Sequence, residues 1–67
     1  MDYLMFEDEE FDYLYIGYFK EGTMNGFGIE VSKDQTTKLI TEYRGFFHSG
    51  KRHGIGLQIT YDPSCFL

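Results

Sequence analysis

Apolar and aromatic residues concentrate in two blocks of the chain, residues 14–31 and 39–61, each with a more polar stretch inside it, and each block reads as a β-hairpin. In the first, residues 14–19 (LYIGYF) are rich in the aromatic and β-branched types that suit a pleated surface. A loop over 20–25 (KEGTMN) follows, and 26–31 (GFGIEV) return. In the second, the loop falls at 48–53 (HSGKRH). A six-residue loop that closes squarely sets Phe19 opposite Gly26, Gly17 opposite Gly28 and Tyr15 opposite Glu30. It also sets Phe47 opposite Gly54 and Gly45 opposite Gly56. Side chains along a strand point to alternate faces. Tyr15, Phe19, Tyr43 and Phe47 then share one face with the glycines, where each ring can lie flat over bare backbone. The opposite face carries Leu14, Ile16, Tyr18, Phe27, Ile29, Val31, Phe46, Ile55, Leu57, Ile59 and Tyr61, with Arg44 among them.

All eight glycines fall into two sets, and a shift of 28 residues carries one onto the other. Gly17, Gly22, Gly26 and Gly28 map onto Gly45, Gly50, Gly54 and Gly56; Tyr15 maps onto Tyr43, and Phe19 onto Phe47. The shared pattern is Y-x-G-x-F-x-x-G-x-x-x-G-x-G, and self-similarity at such a period marks stacked supersecondary units. It resembles the MORN repeat (membrane occupation and recognition nexus), at residues 15–28 and 43–56. The polar turn at 32–38 (SKDQTTK) makes the repeat longer than that family's usual spacing. The expected fold is all-β: a single antiparallel meander of about four strands, built from two stacked hairpins. Gly22 lies where a turn needs positive φ, and the glycines are structural, not phosphate-binding.

Charge is uneven. Of the net −5, residues 1–13 contribute six acids and no base, while 14–67 hold five acids and six bases. Segment 1–13 interleaves its acids with Tyr3, Leu4, Met5, Phe6 and Phe11. It reads as a solvated or partly ordered tail, or as an acidic-aromatic segment that docks on a basic partner surface. Phosphate binding needs clustered Lys and Arg, so nucleic acid is not an expected ligand. The acidic start is the reverse of a secretory or mitochondrial leader, and Cys65 has no partner for a disulfide. Both point to the cytoplasm. Asp62 and Pro63 break the last strand, leaving 62–67 as a C-terminal tail.

Candidate chemistry is thin. Residues 45–51 fit the spacing G-x-x-x-x-G-K of a phosphate loop, but Arg52 stands where Ser or Thr would hold magnesium. His48 and His53 lack further ligands at any zinc spacing, and Ser49 has no oriented base. Neither a catalytic site nor a cofactor is expected. The basic residues Lys51 and Arg52 suit an alternative reading, a peripheral phospholipid contact. Two bases contribute only about 1 kcal/mol each against anionic lipid, and the acidic segment opposes them, so direct membrane contact is expected to be weak or absent.

Both sheet faces are apolar and no segment has the length and period of a covering helix. Two repeats are also fewer than a stack generally needs. These features predict a non-catalytic interaction or scaffold module that receives a helix or strand of another subunit on a face or edge, self-association being one form of this. The contact set is Tyr15, Phe19, Tyr43, Phe47, Tyr18, Phe27, Ile29, Phe46, Ile55 and Leu57. The family resemblance implies cytoskeletal, ciliary or membrane-associated assemblies, and regulatory appendages to enzymes, for which this chain has no catalytic body.

Overall fold

The computed structural model describes residues 1–66; Leu67, the end of the expected tail, lies outside them. Five strands form one antiparallel sheet in chain order: β1 (Asp2–Glu7), β2 (Phe11–Lys20), β3 (Thr23–Asp34), β4 (Ile40–His48) and β5 (Lys51–Tyr61). A 3-10 turn at Pro63–Phe66 follows the break at Asp62. The molecule is a single layer, 16 Å across its thinnest direction.

The additional strand comes from the acidic segment. Its acids do not interrupt an apolar run: Asp2 and Glu7 bracket Tyr3, Leu4, Met5 and Phe6, which pair with residues 13–16 of β2. Asp8 closes the turn, its Oδ1 accepting the N–H of Glu10 (2.8 Å) and of Phe11 (2.7 Å). These two bonds favour the ionised form and hold the Asp8 carboxyl below its usual range. Phe6 stacks on Tyr13 with ring centroids 5.1 Å apart. Segment 1–13 is therefore an edge strand, its turn and the start of β2, rather than a tail. The polar turn is also shorter than 32–38: β3 runs to Asp34, whose Oδ1 accepts the N–H groups of Thr36 (2.8 Å) and Thr37 (3.0 Å).

The repeat hairpins close more tightly than six-residue loops. Glu21 and Gly22 (φ 52° and 80°), and Ser49 and Gly50 (φ 51° and 82°), are two-residue turns with both central residues left-handed. Residues 23–25 and 51–53 therefore belong to β3 and β5. Tyr15 opposite Glu30, Gly17 opposite Gly28 and Gly45 opposite Gly56 hold as expected. Phe19, however, pairs with Met24 instead of Gly26, and Phe47 with Arg52 instead of Gly54. The difference is absorbed by bulges at Gly26 and Gly54, which take φ of 89° and 74°.

The core is three rings on one face: Tyr15, Tyr43 and Phe47 are 0, 7 and 3% exposed. The two tyrosines lie over the inner glycines. A Cβ on Gly28 would meet the Tyr15 ring, and one on Gly56 the Tyr43 ring. The phenylalanines do not cover Gly26 and Gly54. They stand edge-on to the tyrosines instead, in a row Phe19, Tyr15, Phe47, Tyr43 with centroids 5.3, 5.0 and 5.3 Å apart. Tyr15 donates its hydroxyl to the Tyr18 carbonyl (2.9 Å), and Tyr43 to the Phe46 carbonyl (3.2 Å), so among the described residues no buried side-chain polar atom lacks a partner. The same bond recurs one repeat later.

Candidate interaction surface

The register sorts the contact set into two groups. Tyr15, Tyr43 and Phe47 are buried as the fold's own core, and Phe19 is half-buried against it. The other face is open. Across the five strands its rows are Tyr3, Ile16, Ile29, Arg44 and Leu57, and then Met5, Leu14, Val31, Glu42 and Ile59. Phe27 and Phe46 add an edge-on pair 5.7 Å apart, and Ile55 follows on β5. Tyr18, Phe27, Phe46, Ile55 and Leu57 are 50, 45, 48, 85 and 62% exposed, whereas Ile29 at the centre is half-buried by its neighbours. Two shallow grooves run over this face, one lined by Tyr3, Met5, Leu14 and Ile16, the other by Glu42, Arg44, Leu57 and Ile59. Arg44 and Glu42, 3.9 Å apart, are its central charges. Soluble monomers rarely expose a contiguous apolar area of this kind without a use for it.

The core face holds a polar network that the sequence did not suggest. Arg52 donates to Glu30 Oε1 from Nε (2.9 Å) and Nη2 (2.7 Å), and to Gln58 through Nη1. Its guanidinium lies 4.4 Å from the centre of the Tyr43 ring. Tyr13 donates its hydroxyl to the other Glu30 oxygen. Tyr15 thus packs against phenylalanines of both repeats. Tyr43 has Phe47 from its own repeat and the Arg52 guanidinium besides, so a cation covers the last ring of the row. Arg52 is a structural group in β5, not a loop cation. The Lys51 side chain makes no ion pair or hydrogen bond among the described residues.

Breaking the network should be visible in stability. Arg52→Gln leaves Glu30, whose side chain is 15% exposed, without its cation. Loss of one partner of a buried pair costs several kcal/mol, but Arg52 is 43% exposed and solvent screens the pair, so about 1–2 kcal/mol is expected. Lys51→Gln should change stability by less than about 0.5 kcal/mol. Urea denaturation of the two variants checks both.

The network also sets an alkaline limit. Burial, followed by the hydrogen bond and charge of Glu30, pushes the Tyr13 phenol well above its ordinary 10.0, and burial raises Tyr15. The folded state then holds these protons more tightly than the unfolded chain does. Their contribution is complete below pH 10 and is lost as pH rises through the folded values. Unfolding free energy should therefore fall above about pH 10, and Tyr13→Phe should make that fall shallower, as chemical denaturation across an alkaline series would record.

His48 and His53 have ring centroids 5.5 Å apart, and no group of three or more metal-ligating side chains occurs among the described residues. The phosphate-loop spacing at 45–51 runs from β4 through a tight turn into β5; Gly45 serves the Tyr43 ring and Gly50 the turn. No helix among the described residues is long and apolar enough to cross a membrane.

Comparison with known proteins found one family, the MORN repeat, whose model matches residues 15–37 and 43–62. No curated protein and no solved structure matched the chain. The matched residues span both hairpins and both tyrosine-over-glycine units, and repeats of this kind are associated with protein–protein or membrane–lipid interaction. The chain belongs to the MORN-repeat family, with two repeats.

Proposed function

We propose that the chain is a non-catalytic scaffold subunit that binds another protein on the aliphatic face of its sheet. The observation that carries this is the exposure of Tyr18, Phe27, Phe46, Ile55 and Leu57 together on one side of a single-layer sheet, whose opposite side is packed at its centre by Tyr15, Tyr43 and Phe47. Burial of such side chains contributes roughly 25 cal/mol per Å² of apolar area, and the shallow grooves suit a helix or an extended segment with apolar anchors. Arg44 and Glu42 give that partner a central polar register. The role belongs to an assembly in the cytoplasm, of the cytoskeletal or ciliary kind in which this family occurs. The engagement of Arg52 with Glu30 favours this reading over a phospholipid contact, because it leaves Lys51 as the one uncommitted base at that tip among the described residues.

The test is capture from native extract with the parent chain and with Ile16→Glu/Phe46→Glu. Both substituted residues are exposed, so the fold should survive, and circular dichroism would verify it. The parent should retain a defined partner that the variant loses. Retention by both, or salt-sensitive sedimentation of the parent with anionic vesicles and no protein partner, would reverse the proposal.

A further inference from the structure

Two strand edges have no neighbouring strand among the described residues, the outer sides of β1 and β5. An unpaired edge is a row of N–H and C=O groups ready to receive another strand, and proteins guard such edges with charge, proline, shortness or bulges. The two edges here are guarded unequally. β1 is six residues long, with Asp2 and Glu7 at its ends and Asp8, Glu9 and Glu10 just beyond. β5 is eleven residues long and its bulge, at Gly54, sits in its first half. Residues 55–61 of β5 include no charged residue, no proline and no positive φ. Within them Ile55, Leu57 and Ile59 are 85, 62 and 50% exposed.

We propose that the β5 edge is a self-pairing site: β5 of one copy pairs antiparallel with β5 of a second copy, about a two-fold axis normal to the sheet near Gln58, giving one continuous sheet. Charge selects this pairing among those available. Two β1 strands running antiparallel would set Asp2 near Glu7 at both ends, acid against acid. Two β5 strands set Asp62, exposed and held below the usual carboxyl range by its bonds from Ser64, near the end that carries Lys51, the base left uncommitted there, again at both ends. Apolar pattern agrees. About Gln58, Leu57 of one copy faces Ile59 of the other, and both lie on the aliphatic side.

Closure agrees as well. Antiparallel pairing of β5 with β1 of another copy turns that copy over, so the aliphatic face of one would continue into the ring face of the next, and each addition would leave a further edge open. The two-fold pairing keeps all aliphatic residues on one side and uses each β5 once. It leaves only the acid-guarded β1 edges at the ends, so assembly stops at a dimer. This pairing does not depend on the proposed partner surface, which it leaves exposed.

The test uses the full chain in a Cys65→Ser background. Sedimentation velocity over a wide concentration range should show a monomer–dimer equilibrium. Gln58→Cys should form a disulfide-linked dimer on mild oxidation, because facing residues of antiparallel strands have Cα atoms about 4.5–5.5 Å apart, within disulfide reach. Gln58 lies on the ring side, where its Oε1 meets Arg52, so stacking through the aliphatic faces would keep those thiols apart. Ile59→Lys should abolish the dimer while circular dichroism stays that of a folded sheet. A parent that is monomeric at every concentration would overturn the proposal. So would a dimer that links through Phe46→Cys but not through Gln58→Cys, whatever Ile59→Lys does.

Discussion

Gly45→Val is expected to leave the chain unfolded at room temperature, and Gly17→Val likewise. A Cβ at Gly45 would stand 2.5 Å from the Gly56 Cα and 2.8 Å from the Ile55 carbonyl oxygen, with the Tyr43 hydroxyl at 2.6 Å. At Gly17 the corresponding distances are 2.6 Å to the Gly28 Cα and 2.8 Å to the Phe27 oxygen, with the Tyr15 hydroxyl at 2.5 Å. Two of the three obstacles at each site are backbone and cannot rotate aside, so the tyrosine must leave its seat or the strands must part. Overpacking costs about 1–3 kcal/mol and occasionally more, whereas a core in a chain this small rarely supplies more than about 3–5 kcal/mol. Even Gly45→Ala should lower the melting temperature. Gly22→Asn is the control: its Cβ would meet nothing within 4 Å, and asparagine tolerates the left-handed backbone there. Thermal melts in which Gly45→Val and the control behave alike would refute the ring-over-glycine packing.

Tyr15→Ala should be equally severe, for the opposite reason. Tyr15 is fully buried and is the ring on which phenylalanines of both repeats converge, so its removal empties the joint between them. Truncating a buried aromatic to alanine costs about 3–5 kcal/mol, close to everything the domain has. Tyr15→Phe keeps the ring and loses only the bond to the Tyr18 carbonyl, so about 1 kcal/mol is expected. Urea titrations would separate these outcomes. Equal losses from the two variants would mean that the hydroxyl, not the ring, holds the repeats together.

The repeat was legible because its constraints are local. Each tyrosine needs glycines beneath it and each turn needs a glycine of positive φ, so spacing alone exposed Gly17, Gly28, Gly45 and Gly56 as ring seats and placed the apolar faces. The two-residue turns were not legible. Residues 23–25 and 51–53 are polar enough to read as loop, and only the bulges at Gly26 and Gly54 allow them to be strand. β1 escaped because a count of charge over residues 1–13 hides that Tyr3, Leu4, Met5 and Phe6 form an unbroken apolar run. Arg52 escaped because its ionic and ring partners, Glu30 and Tyr43, come from other strands. Glu30 is 22 positions away, and nothing local ties the two. One signal was available: the 28-residue shift puts Arg52 in the place of Met24, a residue that packs against the first repeat's core.

That core leaves the aliphatic face without a cover of its own, and the central claim is that another protein supplies one. A photo-reactive phenylalanine analogue placed in turn at Tyr18, Phe46, Phe6 and Phe11 tests it most directly. All four positions are 43–50% exposed, so they differ in the side of the sheet they occupy and hardly in access. Tyr18 and Phe46 lie on the aliphatic side, Phe6 and Phe11 on the ring side. Irradiation in native extract should yield the same protein adduct from Tyr18 and Phe46 and none from Phe6 and Phe11. Adducts from the ring side alone, or equal labelling from both sides, would contradict it.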